Sequence, residues 1–170
     1  MSATRGNSLE LLCENRVAFE AKEAAIRGAK RSIWAEYYII ADDQTGHRFL
    51  ELLAARAREG LDVRLLYDAV GSASIDEARV EALRAAGGRV SSFLPVNPLR
   101  RRWSVHLRNH RKVLVVDGVT GITGGMNIGD EYSGSSPVPA KSRKRKDRPW
   151  RDTDLAINGP AAEQLADVFA

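Results

Sequence analysis

The chain has 170 residues, 44% hydrophobic and 28% charged, enough for one domain with a core of its own. No run approaches the roughly 18 to 20 apolar residues of a membrane-spanning helix, and residues 1–7 lead into no apolar stretch of signal-peptide type. The single cysteine, Cys13, excludes an internal disulfide and fits a reducing compartment. The expected place is therefore cytoplasmic, with any lipid substrate reached from the side of the membrane.

Net charge is +4, but it is unevenly spread. Arg100, Arg101, Arg102, Arg108, Arg111 and Lys112 form one cluster. Lys141, Arg143, Lys144, Arg145, Lys146, Arg148 and Arg151 form a second. These thirteen are half of the 26 basic residues and have one acid, Asp147, among them; the rest of the chain holds 13 basic and 21 acidic residues, a net of −8. Such clusters attract phosphate, in nucleic acid or in anionic lipid headgroups.

In chain order, residues 16–30 read as an amphipathic helix. Residues 32–40 are aromatic and β-branched, a strand. Thr45 is a candidate cap for a second helix that Gly60 stops. Val63 to Tyr67 is a short buried strand ending in Asp68. Ser74 or Asp76 opens a third helix that ends at Gly87-Gly88, and Val90 to Leu94 is a further strand. Pro95 to Trp103 is a loop. After residue 110 a hairpin follows, then a basic loop from about Gly129 to Arg148. A last strand runs from Thr153 to Ile157, and Pro160 starts a helix. Helices alternating with short apolar strands imply an α/β fold with a mixed, mostly parallel sheet flanked by helices.

The hairpin carries the chemistry. Asp117-Gly118 between two β-prone runs is a strong turn signal, because both turn residues tolerate positive φ. If those two form the whole loop, Val116 faces Val119, Lys112 faces Thr123 and His110 faces Gly125. Side chains alternate faces along a strand, so His110 and Lys112 project together, with Gly125 opposite and Asn127 one step diagonal. Val113, Val115 and Ile122 then take the other face. An imidazole can attack phosphorus or shuttle a proton, while an ammonium and an amide N–H can orient the non-bridging oxygens. Gly125 leaves room for a ligand to approach the backbone. No carboxylate cluster suited to magnesium accompanies this set, so the chemistry reads as metal-independent, with no cofactor.

His110, Lys112, Asp117 and Gly124-Gly125-Met126-Asn127 stand at the spacing of the HKD signature and identify the chain as resembling the phospholipase D superfamily. Glu36-Tyr37-Tyr38-Ile39, residues 63–68, 97–100 and 127–132, Arg108-Asn109-His110-Arg111-Lys112 and Trp150-Arg151-Asp152-Thr153 look like the first half of bacterial cardiolipin synthases. The resemblance implies phosphatidyl transfer from a phosphatidylglycerol-type anionic phospholipid through a phosphohistidine. His110 would be the nucleophile, with Lys112 and Asn127 on phosphate oxygens. Asp152 matches the position that orients the motif histidine. Gly125 and Arg108 would border the substrate, and Asp117 and Gly124 would be structural.

The superfamily's site needs two such motifs, and this chain has one. Neither His47 nor His106 is followed by the matching lysine and asparagine. Three readings remain open. The chain is one lobe, residues 1–170, of a two-lobe, cardiolipin-synthase-like enzyme peripheral at the inner membrane, with the second motif in cis. Or it is a single-motif endonuclease that pairs two copies as a homodimer, with nucleic acid as substrate. Or it is a lipid- or nucleic-acid-binding module that uses the basic loops alone.

Overall fold

In the computed structural model of the protein, residues 3–94, 108–134 and 151–169 are described. The loop at 95–103, His106 and the basic run 141–148 lie outside them. One sheet of seven strands organises the chain: β1 (Ser8–Leu12), β2 (Ser32–Tyr37), β3 (Asp62–Asp68), β4 (Arg89–Phe93), β5 (Lys112–Val116), β6 (Thr120–Gly124) and β7 (Asp154–Asn158), in the spatial order β1-β7-β6-β5-β2-β3-β4. The sheet is mixed and flanked by helices. Its parallel part is confined to β2, β3 and β4; the other four pairings are antiparallel. The helix-strand rhythm that signals parallel crossovers stops at β4, and the remaining strands are joined differently.

Three helices, α1 (Asn15–Gly28), α2 (Gln44–Arg58) and α3 (Glu77–Ala85), bury their apolar stripes on one face of the sheet. There Ile26, Phe49, Leu53 and Leu83 pack against Ile33, Ala35, Leu65, Leu114, Val116 and Ile122. Caps set where the helices begin. Asp43, rather than Thr45, caps α2 by accepting from the Gly46 N–H at 2.9 Å. Thr45 instead donates its hydroxyl to Asp130 at 2.6 Å. Asp76 caps α3. Gly60 and Gly87 take left-handed φ of 89° and 98° just past α2 and α3, the conformation glycine supplies at helix ends.

The short α4 (Asp130–Ser133) follows the hairpin, and α5 (Pro160–Ala166) starts at its proline. Helix α5 covers the opposite face: at Gly121 a side chain would meet Leu165 and Ala162. Strand β1 has no counterpart in the sequence reading. It adds to the β7 edge with Leu9 and Leu11 exposed, and Cys13, just after it, is also exposed. Among the described residues no helix is long and apolar enough to cross a membrane.

The hairpin register differs by one residue from the two-residue-loop expectation. Asp117 and Gly118 do take positive φ, 55° and 71°, and the Val119 N–H closes the turn on the Val116 carbonyl at 3.1 Å. Val119 is then left out, and Val116 pairs with Thr120, Leu114 with Ile122 and Val113 with Thr123. Ile122 therefore shares the α1–α2 core face with Leu114 and Val116, not the face of Val113 and Val115. Lys112 does not face Thr123, whose hydroxyl reaches only the Lys112 carbonyl, at 2.9 Å.

Candidate active site

Strands β2 and β3 run parallel and end at Tyr37 and Asp68, while antiparallel β5 begins beside Tyr37 at Lys112. The carboxyl ends of parallel strands are where open α/β sheets leave room for ligands. His110 stands here, two residues ahead of β5, and its side chain is exposed. Its ring lies on that of Tyr38, with centroids 4.1 Å apart and planes tilted by 31°.

Lys112 is 7% exposed. Its Nζ lies 3.1 Å from His110 Nδ1 and 2.8 Å from the His110 carbonyl oxygen, and 5.4 Å over the Tyr38 ring. Burial pushes the Lys112 pKa below its ordinary value, against the opposing pull of Asp152 and Asp154.

Asn127 lies past the end of β6 and is 3% exposed. Its Oδ1 accepts from the Ile39 N–H at 3.1 Å, next to Tyr38, and its Nδ2 donates to the Tyr132 hydroxyl at 2.9 Å. The two glycines of the motif lie close against residues 152–154 at the start of β7. A Cβ at Gly124 would come within 2.4 Å of the Thr153 carbonyl oxygen, and one at Gly125 within 1.9 Å of Asp152 Oδ1. Gly125 therefore sits under the Asp152 carboxylate, rather than opposite His110. Asp152 accepts from the Thr153 N–H at 2.9 Å. The partner at His110 Nδ1 is Lys112, not Asp152.

Asp117 turns away from this face. Its carboxylate accepts from the N–H groups of Lys30, Arg31 and Ser32 at 2.7 to 2.9 Å, which ties the hairpin tip to the start of β2. Arg108 is half-buried, with a guanidinium nitrogen 3.8 Å from the buried Asp68. His47 is remote from the motif, 2.6 Å from Asp42 and 3.7 Å from Asp76 at the surface.

The sequence reading missed one pair. Asp154 Oδ1 accepts from the Met126 N–H at 3.1 Å, and its Oδ2 meets Lys22 Nζ of α1 at 2.7 Å with both side chains buried. An acid on β7 and a lysine inside α1 thus fix the backbone between Gly125 and Asn127. The lone signal was a lysine on the apolar stripe of a helix.

Residues 23–134 match the family model described as cardiolipin synthase, PLD-like domain. The chain belongs to this family. Cardiolipin synthase A of Pseudomonas fluorescens is 39% identical over 170 residues, all of this chain and 34% of that protein. This phospholipase D-like chain thus spans about a third of the length of the curated relatives it matches. Among solved structures, phosphatidylserine synthase of Haemophilus influenzae superposes with a TM-score of 0.70 at 20% identity, over 94% of this chain and 35% of that one. NucT from Helicobacter pylori superposes with a TM-score of 0.67 at 15% identity, over 96% and 92%. At these identities the two structures establish the shared fold.

Proposed function

We propose that this chain is the lobe that supplies the attacking histidine of a metal-independent phosphatidyltransferase of cardiolipin-synthase type. One observation carries the reading: the motif histidine and lysine meet at 3.1 Å at an open strand end, in a chain 39% identical along its whole length to a cardiolipin synthase. His110 Nε2 attacks phosphorus, the N–P bond forms and the ester P–O bond breaks. The leaving alcohol takes its proton from a second histidine, which the described residues do not supply. An incoming alcohol gives its proton to that second histidine and forms the new P–O bond as the N–P bond breaks, which restores the imidazole.

For Nε2 to attack, Nδ1 must carry the proton. Lys112 Nζ therefore leaves Nδ1 when substrate binds and moves to a phosphate oxygen. Asp152 is the acid closest in role to an Nδ1 acceptor, which it would become by swinging off Gly125. Asn127 turns one amide N–H to the phosphate. The substrate is an anionic phospholipid, taken from the membrane surface by peripheral contact through the basic segments.

The test is incubation with vesicles containing phosphatidylglycerol labelled in its phosphate. Acid-labile label on the protein that His110→Ala removes, with vesicle binding kept, is the expected result. Equal labelling of the variant would overturn the assignment.

The second reading, a nuclease built from two copies of the chain, is favoured by one fact: a protein of similar length, NucT, is covered over 92% of its chain. It predicts metal-independent cleavage of DNA at low salt that is second order in protein at low concentration. A phosphate-binding module without turnover would show neither activity.

A further inference from the structure

Two carboxylates at the ends of adjacent parallel strands are among the most buried groups in the molecule, Glu36 at 1% and Asp68 at 0% exposure. Neither belongs to the motif. Burying an ionised carboxylate is costly unless donors compensate it, so what these two hold indicates their use.

Both hold Asn109, the residue before His110. Asp68 Oδ2 accepts from the Asn109 backbone N–H at 3.1 Å. Glu36 Oε1 accepts from the Asn109 side-chain amide, and Asn109 Oδ1 in turn accepts from the Arg111 N–H at 3.2 Å. Asn109 is therefore fixed through its backbone and both ends of its amide. Arg108 and Arg111 lie 3.8 and 3.7 Å from Asp68 and Glu36, so the cations flanking the histidine turn towards the same buried acids.

Asp68 also shapes the surface under the imidazole. Its Oδ1 accepts from the N–H groups of Val70 and Gly71, each at 2.9 Å. That turn presses Gly71 against Tyr38 so closely that a Cβ there would lie 2.7 Å from the ring and 2.3 Å from the Tyr38 carbonyl oxygen. Ser72 donates to that carbonyl at 3.1 Å and accepts from the Ile40 N–H at 3.0 Å. Tyr38 is thus held by its backbone and backed by glycine, with its ring against His110.

We propose that Asn109 and Tyr38 are positioning residues for His110: Glu36 and Asp68 fix the backbone before the histidine through Asn109, and the turn folded by Asp68 sets the Tyr38 ring as a platform under the imidazole. The inference rests on the reading of His110 as the attacking group. A stacked face leaves the ring nitrogens at the edge, Nδ1 to carry the proton and Nε2 to meet phosphorus. A histidine outside a strand otherwise loses its attack geometry to rotation, and misplacement of about 1 Å can cost on the order of 100-fold in rate.

The experiment uses the 170-residue chain with labelled histidine. The probe is bis(p-nitrophenyl) phosphate, whose leaving group departs without a general acid. The ring protons of His110 are expected upfield from the Tyr38 ring current in the unmodified chain and in Tyr38→Phe. They move to ordinary shifts in Tyr38→Leu. First-turnover release of p-nitrophenolate should fall about 10- to 100-fold in Tyr38→Leu, with half-saturation nearly unchanged and Phe restoring the rate. Asn109→Ala should slow the first turnover likewise and broaden the His110 signals. Unchanged shifts and rate in Tyr38→Leu would overturn the proposal, as would a Phe variant as impaired as Leu. If the unmodified chain releases no p-nitrophenolate, the proposed function falls, and the His110 resonances alone decide the positioning.

Discussion

The Lys22 ammonium and the Asp154 carboxylate meet at 2.7 Å, with neither side chain more than 3% exposed. Because Asp154 also accepts from the Met126 N–H, the pair links helix α1 to the backbone that presents Asn127. Removing one partner of a buried pair leaves the other charge uncompensated, at about 3–5 kcal/mol. Lys22→Met should lower stability by that order in urea unfolding. The double variant Lys22→Met with Asp154→Asn should recover most of it, because the asparagine Oδ1 still accepts from Met126. If the two single losses simply add in the double variant, the pair is not coupled.

The adjacent glycines of the motif should behave differently. A Cβ at Gly124 meets the Thr153 carbonyl and the Asp154 Cα, at 2.4 and 2.6 Å, which only a backbone shift relieves. At Gly125 the clash is with the end of the Asp152 side chain, which can rotate. Gly124→Ala should therefore cost at least about 2–3 kcal/mol and Gly125→Ala about 1 or less. Equal melting temperatures for the two would contradict the packing described. Since Asp152 must move in Gly125→Ala, that variant should report on Asp152 by a change in phosphodiester turnover rather than in stability.

Asp117 gives the fold an acid-sensitive contact. Burial raises its pKa, but the N–H donors of Ser32, Lys30 and Arg31, with the charge of Arg31, outweigh burial and hold it below the ordinary 3.8. A carboxyl with a depressed folded pKa adds stability that is present above its unfolded value and lost as pH falls through the folded one. Asp117→Asn suits the left-handed φ of 55° but forfeits the charge on these bonds. It should cost about 1.5–3 kcal/mol at pH 7. The gap to the parent should close below about pH 4. A gap that persists to pH 2 would mean that the charge contributes nothing.

The elements with local signals were legible. Asp76, Gly60, Gly87 and Pro160 mark helix ends by chemistry that acts within one turn, and the HKD spacing brought His110 and Lys112 together. The hairpin register was not legible, because Asp117-Gly118 specifies the turn but not whether Val119 rejoins the ladder. That one residue moved Ile122 to the other face and displaced Gly125 and Thr123 from their assumed partners. Strand β1 was missed because five residues with two exposed leucines become a strand only against β7. The Tyr38–His110 stack and the Lys22–Asp154 pair join residues 72 and 132 positions apart, a distance at which periodicity and caps carry no information.

Asn127 makes two contacts within the fold and is proposed to make a third to phosphate, and one substitution separates these duties. Its Oδ1 accepts from the Ile39 N–H and its Nδ2 donates to the Tyr132 hydroxyl. In Asn127→Asp the carboxylate accepts from both the Ile39 N–H and the Tyr132 O–H, so the fold contacts survive. The donor to phosphate is gone, and a negative charge stands in its place. Melting temperature should change little, while affinity for a dialkyl phosphate, read from the His110 resonances, should fall about tenfold or more. Asn127→Ala should instead lose stability, since it leaves the Ile39 N–H without its acceptor. An Asp variant that binds phosphate as tightly as the parent would remove Asn127 from the phosphate site and leave it as a tie between the end of β2 and Tyr132.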